Sequence, residues 1–317
     1  MDSIIQWLLD GDVSIQYLTR LDLMGESPDQ LQSLQKRIET EGYGARFLAS
    51  RNENGHWGIW FYQPKWTCTH YTLLDLKEIG IPRDNLSCRE MVIRALNQCM
   101  LDSGGINFAK SKIQSDMAID GMFLNYAAFF CPEDARIERL ASFIIRYQKA
   151  DGGFSMDPGG LQSDPHTTLC VLEGFAAYRK AGFTKFLDDI NYSESTAIEW
   201  LLAKDLFMSD DVRYRKFSFP YRYRYDLLRV LAYFSRNHVT MDSRMEPAIQ
   251  WLIRKKDSSG CWYLENIHHG NVHFHLEEKG KPSRFVTLKA LFILKNYYQS
   301  DGLADLPAIR NMEMLFE

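Results

Sequence analysis

One pattern constrains this chain more than any other. A helix rich in Leu, Ile and aromatic residues ends in a polar turn, usually with glycine. An aromatic residue often follows, and then a second apolar helix. The clearest copies run from Arg46-Phe47-Leu48 to Gly55-His56-Trp57, from Ile144-Ile145 to Gly152-Gly153-Phe154, and from Trp251-Leu252 to Gly260-Cys261-Trp262. Weaker copies lie at Ser103-Gly104-Gly105-Ile106 and, without the glycine, at Asp205-Leu206-Phe207. The turns recur about every 50 residues, the length of one helix hairpin. Glycine suits the positive φ at which a helix commonly ends. The chain is therefore expected to be all-α and built from repeated helix pairs.

The two helices of each pair differ. The second ones, such as His70–Leu76, Asp116–Phe130, His166–Leu172, Arg224–Phe234 and Arg284–Tyr297, are apolar on more than one face. Such helices are buried between other layers. The first ones keep a charged face, as in Glu133–Lys149 and Ser243–Lys256. Two concentric layers follow, the inner one dry and the outer one half wet. Residues 1–40 are expected to add preceding helices, broken at Gly11, Gly25 and Pro28. Nothing resembles a long flexible linker, so 1–317 reads as a single domain.

Composition narrows the partners. The net charge of −4 gives no general attraction for nucleic acid or an anionic membrane. No apolar run approaches the roughly 20 residues of a membrane-spanning helix. The six cysteines are scattered without a CxxC pair and read as reduced thiols. With no secretory signal after Asp2, a cytoplasmic location is expected.

Glycine turns followed by an aromatic resemble the QW-type repeats of squalene and oxidosqualene cyclases and of protein prenyltransferase β subunits. The resemblance covers residues 40–300. It implies an α/α toroid of about five to six helix pairs, with an isoprenoid or other apolar small molecule in a central cavity. In class II cyclases the middle Asp of a DxDD motif protonates the substrate. The matching stretch here is Asp164-Pro165-His166-Thr167-Thr168, with His166 at the donor position. Asp164 and His166 are thus the candidate catalytic pair, without the usual acid. No DDxxD motif for metal-dependent ionisation is present. The stretch His166-Thr167-Thr168-Leu169-Cys170-Val171-Leu172-Glu173-Gly174 also resembles the zinc-histidine segment of protein prenyltransferases. The preceding repeat offers Asp116-Met117-Ala118 without the expected thiol, so a zinc set would be incomplete.

Polar residues gather at the starts of the second helices: His70, Asp116, Asp120, Asp164, His166, Arg224, Asp226 and Arg284. Capping explains some of them, and an anion site at helix N-termini explains others. Between Arg213 and Tyr225, five cations alternate with six aromatics. Arg213, Arg215, Lys216, Arg224, Arg284, Tyr225 and His70 are the candidate substrate-binding residues, the cations for a diphosphate or other polar head. The alternative is a loop whose cations pair with nearby aspartates. An insertion carrying His268, His269, His273 and His275 reads as a lid, or with Cys261 as a metal site. Two functions stay open: an isoprenoid-handling transferase or cyclase, and a non-catalytic toroid that binds a ligand or protein. A third class, sugar chemistry, would need two facing carboxylates among Asp75, Asp116, Asp120 and Asp164. An enzyme of the first kind calls for an apolar cavity faced by Asp164 and His166. A scaffold calls for an axis filled with side chains.

Overall fold

The computed structural model describes residues 3–109 and 114–300, with side chains to Tyr297. Residues 1–2, 110–113 and 301–317 of the expected single domain lie outside the described ones. The helices are α1 (Ser3–Leu9), α2 (Val13–Asp22), α3 (Pro28–Arg37), α4 (Gly42–Ala49), α5 (Thr69–Glu78), α6 (Leu86–Gln98), α7 (Met117–Phe130), α8 (Arg136–Ile145), α9 (Pro165–Lys180), α10 (Leu187–Leu202), α11 (Leu227–Arg236), α12 (Glu246–Arg254) and α13 (Arg284–Ser300). Among the described residues there is no sheet, only isolated bridges. The fold is all-α.

Burial separates two layers. In α7 every residue from Asp120 to Ala128 is buried, and α9 is buried from Thr167 to Leu172. By contrast α8 and α12 bury one stripe each, Ile137, Leu140, Ala141 and Ile144 in the first and Ala248, Ile249, Leu252 and Ile253 in the second. Helices α2, α5, α7, α9, α11 and α13 form the inner ring and run in the same direction. The N-terminal ends of α7 and α9 meet through Met156, which accepts from the Met117 amide and donates to Asp164, and those of α9 and α11 through His166 and Tyr225. Deeper in the ring the C-terminal end of α5 meets the middle of α7 through Lys77 and Asn125 and the first half of α13 through Glu78 and Lys289, and the C-terminal ends of α11 and α2 meet through Arg236 and Asp22. The ring closes where α13 lies along α2: Lys295 donates to the Leu23 carbonyl and Arg284 to that of Trp7. The architecture is an α/α toroid, and α2 belongs to its inner ring.

The glycine turns tie the two layers by one repeated device. The aromatic after the turn donates its backbone N–H to a threonine hydroxyl on the inner helix: Trp57 to Thr69 at 3.1 Å, Phe154 to Thr168 at 3.0 Å, Trp262 to Thr287 at 3.0 Å. The indoles of Trp57 and Trp262 donate back to the Phe47 and Leu252 carbonyls of the outer helices. Gly152 (φ 97°) and Gly260 (φ 86°) take the left-handed conformation that the turn needs. At the weaker copy, Asp120 replaces the threonine and accepts from Ile106 N–H at 2.6 Å. The copy without glycine holds Asp205, Leu206 and Phe207 all at positive φ, a strained run.

Candidate functional site: a tyrosine-walled mouth over a plugged axis

The unusual segment 213–225 runs from the surface into the ring. Its buried residues Tyr221 and Arg222 occupy the axis. Arg222 is buried and forks onto Asp75 of α5, with Nη2 to Oδ2 at 2.7 Å. Its guanidinium lies 5.0 Å from the Trp66 ring and 5.7 Å from Tyr71. Tyr221 is buried beside Lys289, under the influence of Asp226, Glu78, Arg229 and Glu173. Aromatic packing continues outward through Tyr71, Tyr62, His70, Tyr126, Phe108 and Phe123. A small void of about 20 Å³ remains beside Arg222 and His268, room for about one water. Arg222 Nη1 and His268 Nδ1 are the polar atoms there without a protein partner. A larger depression, about 580 Å³, is an open surface feature between Asp151, Thr196, Trp200 and Lys204, outside the ring.

Above the plug, at the N-terminal ends of the inner helices, a half-exposed mouth gathers several of the expected residues. Asp164 caps α9, accepting from Thr167 N–H at 2.8 Å and from Met156 N–H at 3.2 Å. Asp116 caps α7. Its pKa is raised by burial and, less, by the neighbouring Asp164 carboxylate. His166 Nδ1 accepts the Tyr225 amide at 2.7 Å, so the imidazole is neutral with its proton on Nε2, which faces the Tyr214 hydroxyl at 3.5 Å. Burial lowers its pKa further, with Asp164 opposing and Arg229, Arg213 and Arg224 assisting. Tyr214 and Tyr223 lie edge-on and tilted to the imidazole. Tyr223 is parallel to Trp66 at 6.1 Å, and Lys65 Nζ sits within 5 Å of both rings. The histidine insertion covers one side of this mouth: His268 packs on Trp66 at 4.2 Å, and the Trp66 indole donates to the His269 carbonyl. His273 bonds Thr72 instead.

Asp164, His166, Arg213, Arg224 and Tyr225 therefore share one end of the ring, in different ways. Arg213 is exposed and forked onto Asp211, and Arg224 is half-buried, its guanidinium 3.5 Å from the Ile267 carbonyl. Tyr225 is buried, its hydroxyl donated to the Leu206 carbonyl. Arg215 and Lys216 precede the plug, half-exposed and exposed. Arg284 lies at the α1–α2 side, stacked on Trp7 at 4.5 Å. His70 is fully buried below the mouth against Tyr126, its pKa pulled down to about 3 by burial. Lys65, Tyr62, Tyr214 and Tyr223 join the mouth without having stood among the candidates. Only Tyr214 and Tyr223, inside the cation-rich run, carried a sequence signal.

Among the described residues no group of three His, Cys, Asp or Glu is arranged for a metal ion. No described helix is long and apolar enough to cross a membrane. Asp75 is tied to Arg222, and Asp120 is tied to Ile106 and Ser115. Of the four inner-ring carboxylates, Asp116 and Asp164 are the two that stay half-buried, each capping its own helix.

No family model matches this sequence, and no curated protein does. Among solved structures the chain is similar to the type II terpene cyclase MstE from Scytonema in its apo form. That match has 12% identity over 85% of this chain and 98% of that one, at a TM-score of 0.34. A variant of the same enzyme, in complex with geranylgeranyl dihydroxybenzoate, matches at 14% identity over 90% of this chain and 99% of that one, also at 0.34. A likeness this distant carries no chemistry from one chain to the other.

Proposed function

We propose that this toroid binds an amphiphilic small molecule, with an isoprenoid bearing an anionic head as the first class to test, and does so without protonating it. The observation behind this is the plug: Tyr221 and Arg222 fill the axis beneath a mouth walled by Tyr62, Trp66, Tyr214 and Tyr223. An apolar portion can lie on that wall, while Lys65, Arg213 and Arg224 are the cations nearest to take a head group. Alkene protonation needs a strong, dry acid. The neutral Nε2–H of His166 is not one, and Asp164 spends both carboxylate oxygens on backbone amides. The non-catalytic reading is favoured over the catalytic one by the same two hydrogen-bonding patterns.

A ligand that binds only the native state raises the melting temperature by mass action. Farnesyl and geranylgeranyl diphosphates are expected to raise Tm, and Tyr223→Ala or Arg224→Ala to abolish most of the shift. Product analysis should recover the diphosphates unchanged. A cyclised or transferred product whose formation is lost in Asp164→Asn would sink the binding-only reading. The absence of any shift would sink the ligand class.

A further inference from the structure

The inner helices should be dry all round, yet α5, α7, α9, α11 and α13 carry accessible residues beyond their first turns. In α9 these are Glu173, Ala176, Ala177 and Lys180, at helical spacing i, i+3, i+4, i+7. In α11 they are Ala232 and Arg236, in α13 Lys289 and Phe292, in α7 Phe129, and in α5 Lys77 and Glu78. A helix enclosed by an outer layer can expose such a stripe only to a space inside the ring. Contacts between the helices bring these residues together: Lys77 of α5 bonds Asn125 of α7, Glu78 of α5 pairs with Lys289 of α13, Glu173 of α9 with Arg229 of α11, and Arg236 of α11 with Asp22 of α2. Lys77 also lies within the electrostatic reach of Glu173, Lys180 and Arg236. Along α9 this vestibule is lined by a stripe about 10 Å long, from Glu173 to Lys180. It opens at the end of the ring opposite the tyrosine mouth.

Its charges do not balance. Glu78 pairs with Lys289, Glu173 with Arg229 and Asp22 with Arg236. Lys77 and Lys180 are left without a carboxylate partner among the described residues. Lys77 Nζ instead bonds the neutral Asn125 side chain, with Phe129 at 5.6 Å. The Arg236 guanidinium covers Phe292 at 4.6 Å. Two uncompensated ammonium groups, an amide and two phenyl rings thus converge in one wet recess.

We propose that this vestibule binds a small doubly charged oxyanion of the phosphate-ester type, held between Lys77 and Lys180 with its apolar group against Phe129 and Phe292. The site lies apart from the tyrosine mouth and does not rest on the function proposed for it. Repulsion and desolvation in the empty recess already act on Lys77. Burial pulls its pKa down to about 8, Lys180 and Arg236 pull the same way, and Glu78 and Glu173 oppose. A dianion would restore the protonated form, so binding above pH 8 should take up a proton.

Isothermal titration calorimetry of the full chain at low ionic strength tests this, with inorganic phosphate and phenyl phosphate as probes. Phenyl phosphate is expected to bind more tightly than phosphate. Lys77→Met and the exposed Lys180→Ala should each weaken it at least tenfold, whereas Lys279→Ala should leave it unchanged. Titrations at pH 8.5 in buffers of different ionisation enthalpy should show net proton uptake, and Lys77→Met should lose it. Should Lys77→Met fail to fold, Lys180→Ala alone decides. Unchanged affinity in Lys180→Ala, or no binding of either probe to folded protein, overturns the site. Equal affinity for the two probes overturns the aromatic half of it.

Discussion

Arg222 is held by more than its charge. It has a left-handed backbone (φ 56°), a buried side chain, a bidentate contact to Asp75 and two aromatic rings over its guanidinium. A buried pair of this kind adds little net stability compared with apolar residues of similar volume, but breaking it strands a charge. Asp75→Ala and Arg222→Ala are each expected to cost about 3–5 kcal/mol by urea unfolding, while the joint change Asp75→Leu with Arg222→Met comes out near neutral. A double variant as unstable as either single one would show that the plug is held by the pair itself. Asp120 makes a second residue-scale case. Burial raises its pKa to about 7 while Ser115 and the Ile106 amide pull it down. A folded pKa above the unfolded value of 3.8 means that the folded state holds the proton longer. Its contribution is fully present below pH 3.8 and is lost as pH rises towards 7. Relative to Asp120→Asn, the wild type should therefore lose about 1.4 kcal/mol per pH unit over that window, read from unfolding curves taken at pH 4, 5, 6 and 7. Residue types at such sites are visible in a sequence, but their partners are not. His166 meets the amide of Tyr225, 59 positions away, and that bond fixes its tautomer.

Among elements, α7 and α9 lie closest, and glycines permit it. A Cβ on Gly121 would stand 2.7 Å from the Cys170 carbonyl carbon and the Val171 amide nitrogen. A Cβ on Gly174 would stand 2.7 Å from the Gly121 carbonyl oxygen. The obstructing atoms are backbone and cannot swing aside, so Gly121→Ala must separate two buried helices. A loss of about 1–3 kcal/mol is expected from overpacking, measured by the shift of the denaturation midpoint at unchanged m-value. No shift would mean that the two helices yield more easily than a close-packed core should. The helix pairs themselves were legible, because periodicity and glycine turns are local signals. The destination of segment 213–225 was not. Alternating cations and aromatics describe an anion site and a buried plug equally well, and the choice fell to Asp75, 147 positions away from Arg222.

At the scale of the whole ring, closure makes the inner helices one unit. The repeated helix pairs were readable from the spacing of their turns and the toroid was implied by the resemblance those turns carry, but α2 was not readable as an inner helix, since it follows no glycine–aromatic turn. Nor was the vestibule, to which each inner helix contributes one or a few residues. Closure has a dynamic consequence. Neighbouring inner helices support each other around the ring: α7 packs on α9, Glu173 of α9 binds Arg229 of α11, Asn296 of α13 binds Ser235 of α11, and Arg236 of α11 binds Asp22 of α2. A break anywhere in such a ring exposes two buried faces at once, so the buried amides of α7 and α9 should exchange with solvent only through global unfolding. Outer helices α8 and α12 bury a single stripe and can open alone. Native-state hydrogen exchange in increasing denaturant should give α7, α9 and α11 one common opening free energy and the full denaturant dependence of unfolding, with lower values in α8 and α12. Asp22→Ala cuts the closure through Arg236 without touching α7. It should lower the opening free energy of α7 and α9 by as much as it lowers global stability. If α7 keeps its protection while α2 and α13 lose theirs, the toroid is an open stack whose ends merely meet.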